Sequence, residues 1–122
     1  MAIGIVIVSH VAEIAAGLKR LVKEVAADVP ITTAGGTDDG GVGTSFEKIM
    51  KAFEENPAET ILAFYDLGSA KMNLEMAMEM TEKEVKLYDT AMIESCYTAA
   101  ALAQAGVELD AIDQQLKPLK VK

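Results

Sequence analysis

The chain predicts an α/β fold: an open, mainly parallel sheet of four to five strands with helices on both faces. Two observations carry this. Short strand-like runs at residues 4–8, 29–33, Thr60–Tyr65 and Glu84–Tyr88 alternate with longer stretches of helical periodicity. The runs at 4–8 and Thr60–Tyr65 are continuously apolar and rich in β-branched or aromatic residues, as suits strands buried on both faces. Alternation of this kind implies right-handed crossovers. At 122 residues the chain is expected to be one domain, long enough to bury roughly two thirds of its unfolded surface.

The first strand, Gly4-Ile5-Val6-Ile7-Val8, halts at Ser9 and at His10, the only histidine. Over residues 11–27, Ile14, Leu18, Leu21, Val22 and Val25 recur at helical spacing. Glu13, Lys19, Arg20, Lys23 and Glu24 oppose them, giving an amphipathic helix that Asp28 and Pro30 end. A second strand, 29–33, leads into Gly35-Gly36-Thr37-Asp38-Asp39-Gly40-Gly41-Val42-Gly43-Thr44-Ser45, where five of the nine glycines fall within nine residues. Such a loop is either a flexible connection or a backbone cradle for an anion, its N–H groups joined by the hydroxyls of Thr37, Thr44 and Ser45. It carries no Gly-Lys-Ser/Thr, so it is not a Walker A loop. Asp38 and Asp39 read as turn formers rather than metal ligands.

Phe46, Ile49, Met50 and Phe53 form the buried stripe of a second helix, capped by Thr44 or Ser45 and closed by Asn56-Pro57. The third strand, Thr60–Tyr65, stops at Asp66-Leu67-Gly68-Ser69. Asp66 thus shares a sheet edge with His10. A third helix from Ser69 carries Met72, Met76, Met78 and Met80, read as core filling in preference to an interface, with Glu75, Glu79 and Glu82 on a solvated face. Glu84–Tyr88 is a fourth strand and residues 93–105 a fourth helix with Gly106 as its C-cap. Leu109–Leu116 is a short last helix, and the tail from Lys117 suits a sheet edge.

The charge balance narrows the function. Nineteen acidic against 11 basic residues give a net charge of −8, and with no basic stripe and no Trp, nucleic acid is not expected as a partner. No apolar run approaches the roughly 20 residues that span a bilayer, and the N-terminus has no signal pattern, so a cytoplasmic location is expected. Cys96 is alone and cannot form an internal disulfide. One Cys and one His make a zinc site improbable, and no metal is expected.

On position alone His10 reads as a structural residue. Beside the glycine loop and Asp66 it reads as a nucleophile. A neutral imidazole nitrogen attacks phosphorus when the other nitrogen carries the proton, and an aspartate on that N–H fixes the tautomer and stabilises the cationic ring. The positive end of the following helix works the other way, disfavouring the cation. The phosphoryl oxygens would be met by backbone N–H groups and the hydroxyls of Thr37, Thr44 and Ser69.

The blocks Gly4 to His10, Gly35-Gly36-Thr37-Asp38-Asp39-Gly40, Gly43-Thr44-Ser45 and Tyr65-Asp66-Leu67-Gly68-Ser69-Ala70 together closely resemble the DhaM family. These are phosphotransferase subunits of dihydroxyacetone kinases, built like the IIA domain of mannose-type sugar phosphotransferase systems, with flavodoxin-like layering. The resemblance covers essentially the whole chain. It implies that His10 accepts a phosphoryl group from HPr, charged from phosphoenolpyruvate by enzyme I. It further implies transfer to ADP held in DhaL, whose ATP phosphorylates dihydroxyacetone on DhaK.

By matching position, Asp66 is the ring partner, and Thr37, Gly43, Thr44 and Ser69 line the phosphate pocket, with Ser9 and Gly36 beside them. The family implies a homodimer and no cofactor, sugar or free nucleotide bound by this chain. Some members continue into further phosphocarrier domains; this one is expected to stop after the IIA-like unit. Ile93-Glu94-Ser95-Cys96 departs from the Val-Glu-Gly-Ala common in relatives, which bears only on local packing. Three other readings remain: a IIA domain handing phosphate to the IIB domain of a sugar transporter, a receiver domain phosphorylated on Asp66 and, last, a plain ligand-binding or assembly module.

Overall fold

The computed structural model describes residues 2–122. Its strands are β1 (Ile3–Ser9), β2 (Ile31–Gly35), β3 (Thr60–Tyr65) and β4 (Glu84–Tyr88). The helices are α1 (Ala12–Lys23), α2 (Phe46–Glu55), α3 (Ala70–Met80), α4 (Met92–Gln104) and α5 (Leu109–Leu116), followed by a 3₁₀ turn at Lys117–Leu119. All strands pair in parallel in the order β2-β1-β3-β4, so the α/β architecture is as the alternation predicts, with four strands.

Alternation along the two central strands divides the core. Ile5, Ile7, Leu62 and Phe64 face α1, α4 and α5, while Val6, Val8, Ile61, Ala63 and Tyr65 face α2 and α3. Every residue of β3 is buried, and each fully buried aliphatic side chain contributes about 1.5–3 kcal/mol, so the central strands anchor the fold.

The expected boundaries shift where backbone hydrogen bonding overrides periodicity. Pro30 has no N–H to donate, and its carbonyl instead accepts from Ile5 at 2.8 Å. The β1–β2 ladder therefore starts at Ile31, two residues later than expected, and Val29 packs into the core from the loop. Helix α1 ends at Lys23 rather than 27, because the amides of Glu24 and Val25 turn back onto Leu21 and Val22.

Its buried stripe is Ala15, Leu18 and Val22, which corrects the placing of Ile14 and Leu21 on the packed face; both are half exposed. A close approach explains this rotation. A Cβ on Gly35 would lie 2.5 Å from the Ala12 Cα, so the helix start meets the end of β2 through small residues.

Helix α2 follows expectation: the Ser45 side chain accepts from the Lys48 N–H, and Ile49, Ala52 and Phe53 are buried. The C-terminus of α4 is closed by Gly106 at φ +82°, with its N–H on Ala103 and that of Val107 on Leu102, both at 3.0 Å. At the sequence departure, buried Ser95 accepts from Thr90 Oγ1 and donates to the Ala91 carbonyl, both at 2.6 Å. Burial pushes the Cys96 thiol up to about 12, which leaves it inert. The tail lies beyond the end of β4, where Lys120 pairs antiparallel with Thr90.

The methionines of α3 correct the expectation of core filling. Ala70, Leu74 and Ala77 seat this helix, the two alanines allowing close approach. Met72, Met76 and Met80 are exposed, and only Met78 packs against the core. Glu75, Glu79 and Glu82 are exposed as expected. No helix among the described residues is long and apolar enough to cross a membrane.

Candidate active site

Strands β1 and β3 are neighbours, yet their onward connections lead to opposite edges of the sheet, β1 to β2 and β3 to β4. Such a divergence leaves a crevice at the strands' carboxyl ends. Register then selects its residues. Val8 pairs with Tyr65, so the next residues along each strand, Ser9 with His10 and Asp66, meet at the mouth.

Asp66 is the hub. Its Oδ1 accepts from His10 Nδ1 at 2.9 Å and from the Leu67 N–H at 2.7 Å. Its Oδ2 accepts from Ser9 Oγ at 2.8 Å and from the His10 N–H at 2.9 Å. Burial works against its ionisation, but the bonds from His10, Ser9 and Leu67 outweigh that penalty and hold the carboxyl below the usual range. An ionised Asp66 accepts only, which assigns the imidazole proton to Nδ1 and leaves the Nε2 lone pair free. Nε2 lies 2.6 Å from Ser69 Oγ, the natural donor to that lone pair. The His10 side chain is 15% exposed; its Nδ1 contact is partly buried, and its Nε2 contact with Ser69 is at the exposed end of the ring.

Ser69 precedes α3 in the N-cap position, yet its side chain makes no cap bond; the hydroxyl is turned to His10 instead.

The glycine loop lies across the same mouth, folded upon itself. Gly36, at φ +74°, donates to the Ser9 carbonyl at 3.1 Å, and Gly43, at φ +145°, donates to the His10 carbonyl at 2.8 Å. Thr37 Oγ1 donates to Asp39 at 2.5 Å and accepts from Gly41. Ser45 Oγ donates to Asp38.

Ser9, Gly36, Thr37 and Gly43, expected at the phosphate pocket, all lie at this mouth, with their polar groups bonded within the protein. Ser9 is fully buried, and in each residue the expected group is already engaged in shaping the crevice. Thr44 and Ser69 stand apart. Thr44 Oγ1 accepts from Asn73 Nδ2 at 2.8 Å and keeps its own proton to donate.

Sequence reasoning missed two contributors. Asn73 orients Thr44 from α3, one helical turn beyond Ser69. Lys122 donates from the tail to the carbonyls of Tyr65 and Asp66 at 2.7 and 2.9 Å, and lies 4.4 Å above the Tyr65 ring. Only the tail's basic composition in an otherwise acidic chain hinted at the second.

Comparison with known proteins gives a consistent set of likenesses. The EIIA-man family model, described as PTS system fructose IIA component, matches residues 4–113. The phosphotransferase subunit DhaM of a PTS-dependent dihydroxyacetone kinase from Lactococcus lactis is 49% identical over 122 residues, covering 100% of this chain and 99% of that protein. The phosphoryl donor subunit DhaM of PEP-dependent dihydroxyacetone kinase 1 from Listeria innocua is 44% identical, covering 98% of this chain and 96% of that protein. A crystal structure of a protein of unknown function, EF1359, has a TM-score of 0.86 at 28% identity, covering 100% of this chain and 98% of its own.

Proposed function

The chain belongs to the EIIA-man family and, within it, to the DhaM subunits of PTS-dependent dihydroxyacetone kinases, and from that premise we propose that it is the phosphoryl donor subunit of such a kinase, carrying the group on His10. The observation that carries the residue assignment is the ordered line from Asp66 through His10 Nδ1 and Nε2 to Ser69.

In the relay, phospho-HPr presents its phosphoryl group to Nε2. The Nε2–P bond forms as the donor's N–P bond breaks, and the proton stays on Nδ1. Positive charge then developing on the ring is met by the Asp66 carboxylate. Ser69 turns its hydroxyl from the nitrogen to a phosphoryl oxygen, and Thr44 supplies a second donor. The return step places the group on ADP held by DhaL, for use on dihydroxyacetone bound to DhaK. The chain itself binds no cofactor in this scheme, acts in the cytoplasm through its IIA-like unit, and works as a homodimer. A receiver-type role for Asp66 is disfavoured by its bonding, since both carboxylate oxygens already accept two hydrogen bonds each and neither is poised to attack phosphorus.

The test is the relay reconstituted from phosphoenolpyruvate, enzyme I, HPr, this chain, DhaL-ADP and DhaK, scored for dihydroxyacetone phosphate. The expected result is turnover with an acid-labile, base-stable phosphate on the wild type and none on His10→Gln. Labelling of that variant would move the carrier to another residue. Replacing DhaL-ADP by a IIB domain as acceptor separates the kinase role from a sugar-transporter role.

A further inference from the structure

Asp66 is gripped through its carboxylate by β1 and through its backbone by Lys122. The β3–β4 ladder ends at the Phe64–Tyr88 pair, so Tyr65 and Asp66 run on past the edge strand. There the Lys122 ammonium stands in for the strand that has ended, donating to the Tyr65 carbonyl at 2.7 Å and to the Asp66 carbonyl at 2.9 Å. Successive carbonyls of an extended strand point to opposite sides, so one ammonium reaches both only where the chain turns. That turn aims the Asp66 carboxylate at His10 Nδ1. Lys122 also lies 4.4 Å above the Tyr65 ring, within reach of a cation–π contact. The tail that carries it is tied to the end of β4. The amides of Val121 and Lys122 donate to the Asp89 carbonyl at 3.2 and 3.4 Å, and the Ala91 N–H donates to the Leu119 carbonyl at 2.9 Å. The Asp89 side chain in turn accepts from the Tyr65 hydroxyl and from Lys71.

We propose that Lys122 is a positioning residue for phosphoryl transfer: it fixes the turn at Asp66, so that the carboxylate keeps the His10 ring in the Nδ1–H tautomer with Nε2 presented for attack. The inference rests on the carrier role given above and adds to it a residue that acts through Asp66. A carboxylate that must hold a ring within about 0.5 Å of its productive place tolerates little play in its own backbone. Misplacement by about 1 Å costs on the order of 10² in rate. The charge of the ammonium works in the same direction. Burial draws it below the usual lysine range, while the Asp66 and Asp89 carboxylates attract it. That attraction is mutual, so Lys122 also favours the ionised Asp66 that accepts from Nδ1. A direct grip on the phosphoryl group is the competing role. An ammonium has three protons to donate, and here two carbonyls and the face of a ring already engage it.

The experiment measures phosphoryl uptake from phospho-HPr at varied donor concentration for Lys122→Met, which keeps most of the stem and removes the donors. The kcat should fall about tenfold while KM stays within about twofold, at a melting temperature close to wild type. The nitrogen NMR spectrum of the His10 ring, read on the unphosphorylated protein, should show the fixed Nδ1–H tautomer giving way to a mixture. Lys120→Met makes the same charge change on the same tail and should match wild type throughout. Lys122→Cys alkylated with bromoethylamine rebuilds an ammonium of nearly the original length and should regain both rate and spectrum; Cys96, buried and inert, escapes the reagent. Wild-type kcat in Lys122→Met overturns the proposal, as does equal slowing in Lys120→Met or an alkylated variant that stays slow. A raised KM at constant kcat also overturns it, giving the lysine to donor contact. Slowed transfer with an unaltered His10 spectrum does the same by placing Lys122 on the phosphoryl group, and a fall in melting temperature that accounts for the lost rate makes the lysine structural. Folded wild type that takes no phosphoryl group from phospho-HPr overturns the carrier role itself, and this inference with it.

Discussion

A single carboxylate organises the site. Asp66 receives four hydrogen bonds, and those of His10 and Ser9 come from the end of another strand, so its geometry couples the ring's tautomer to the register of β1 against β3. The expected outcome for Asp66→Ala is transfer slowed by on the order of 10² or more, through lost ring orientation and lost support for the cationic ring. Asp66→Asn, which keeps the volume, separates chemistry from packing. Its amide can donate to Nδ1 and favour the wrong tautomer, so transfer should stay slow while the melting temperature moves less than in the alanine variant. Single-turnover labelling from phospho-HPr provides the check, and wild-type rates in both variants would remove Asp66 from the mechanism. His10 and Asp66 were legible in the sequence because each terminates an apolar run. The role of Ser9 was not, since nothing in a sequence tells whether a hydroxyl beside a histidine faces the ligand or, as here, the carboxylate behind it.

At the scale of elements, two serines at two helix starts divide structure from function. Ser45 caps α2 by accepting from the Lys48 N–H, whereas Ser69 leaves α3 without a side-chain cap and serves Nε2. Ser45→Ala should therefore lower stability by about 1 kcal/mol. Ser69→Ala should leave stability close to wild type while slowing transfer on the order of 10². Denaturant titration beside labelling kinetics reads both, and a large stability loss in Ser69→Ala would show that its hydroxyl is structural.

The same contrast explains what could be read beforehand. Strands β3 and β4 and helix α5 fall where patterning places them, because apolar runs bounded by turn residues leave little choice. The buried faces of α1 and α3 were misplaced because alanines, which carry weak hydrophobic signal, decide where each helix seats: Ala15 in α1, Ala70 and Ala77 in α3. Lys122 was only hinted at because, unlike His10 and Asp66, it terminates no apolar run and its partners are backbone carbonyls, which leave no mark in the sequence.

For the molecule as a whole, two tyrosine–aspartate pairs couple the fold to pH. Tyr65 donates to Asp89, which also binds Lys71, while Tyr88 donates to Asp113, which also binds Lys86. Burial opposes ionisation of both aspartates, but the tyrosine and lysine bonds prevail and hold them below the usual carboxylate range. Burial, then the adjacent carboxylate, pushes both tyrosines well above theirs. The signs follow from linkage. The lowered aspartates, Asp66 among them, contribute stability that is present above about pH 4 and lost as pH falls through their folded values. The raised tyrosines contribute stability that is present below about pH 10 and lost as pH rises further.

Tyr88→Phe isolates one pair, because the ring stacked on Phe64 at a centroid distance of 5.2 Å is preserved and only the hydroxyl goes. The variant should melt lower than wild type at neutral pH and fall less steeply on both limbs, having lost an alkaline titration and part of the depression of Asp113. Phosphoryl transfer should hold its rate, since Tyr88 packs with the α1, α4 and α5 layer whereas the Tyr65 pair stands beside the site. Calorimetry from acid to alkaline pH tests this assignment, and limbs parallel to those of wild type would show that the Tyr88–Asp113 bond carries none of the pH dependence.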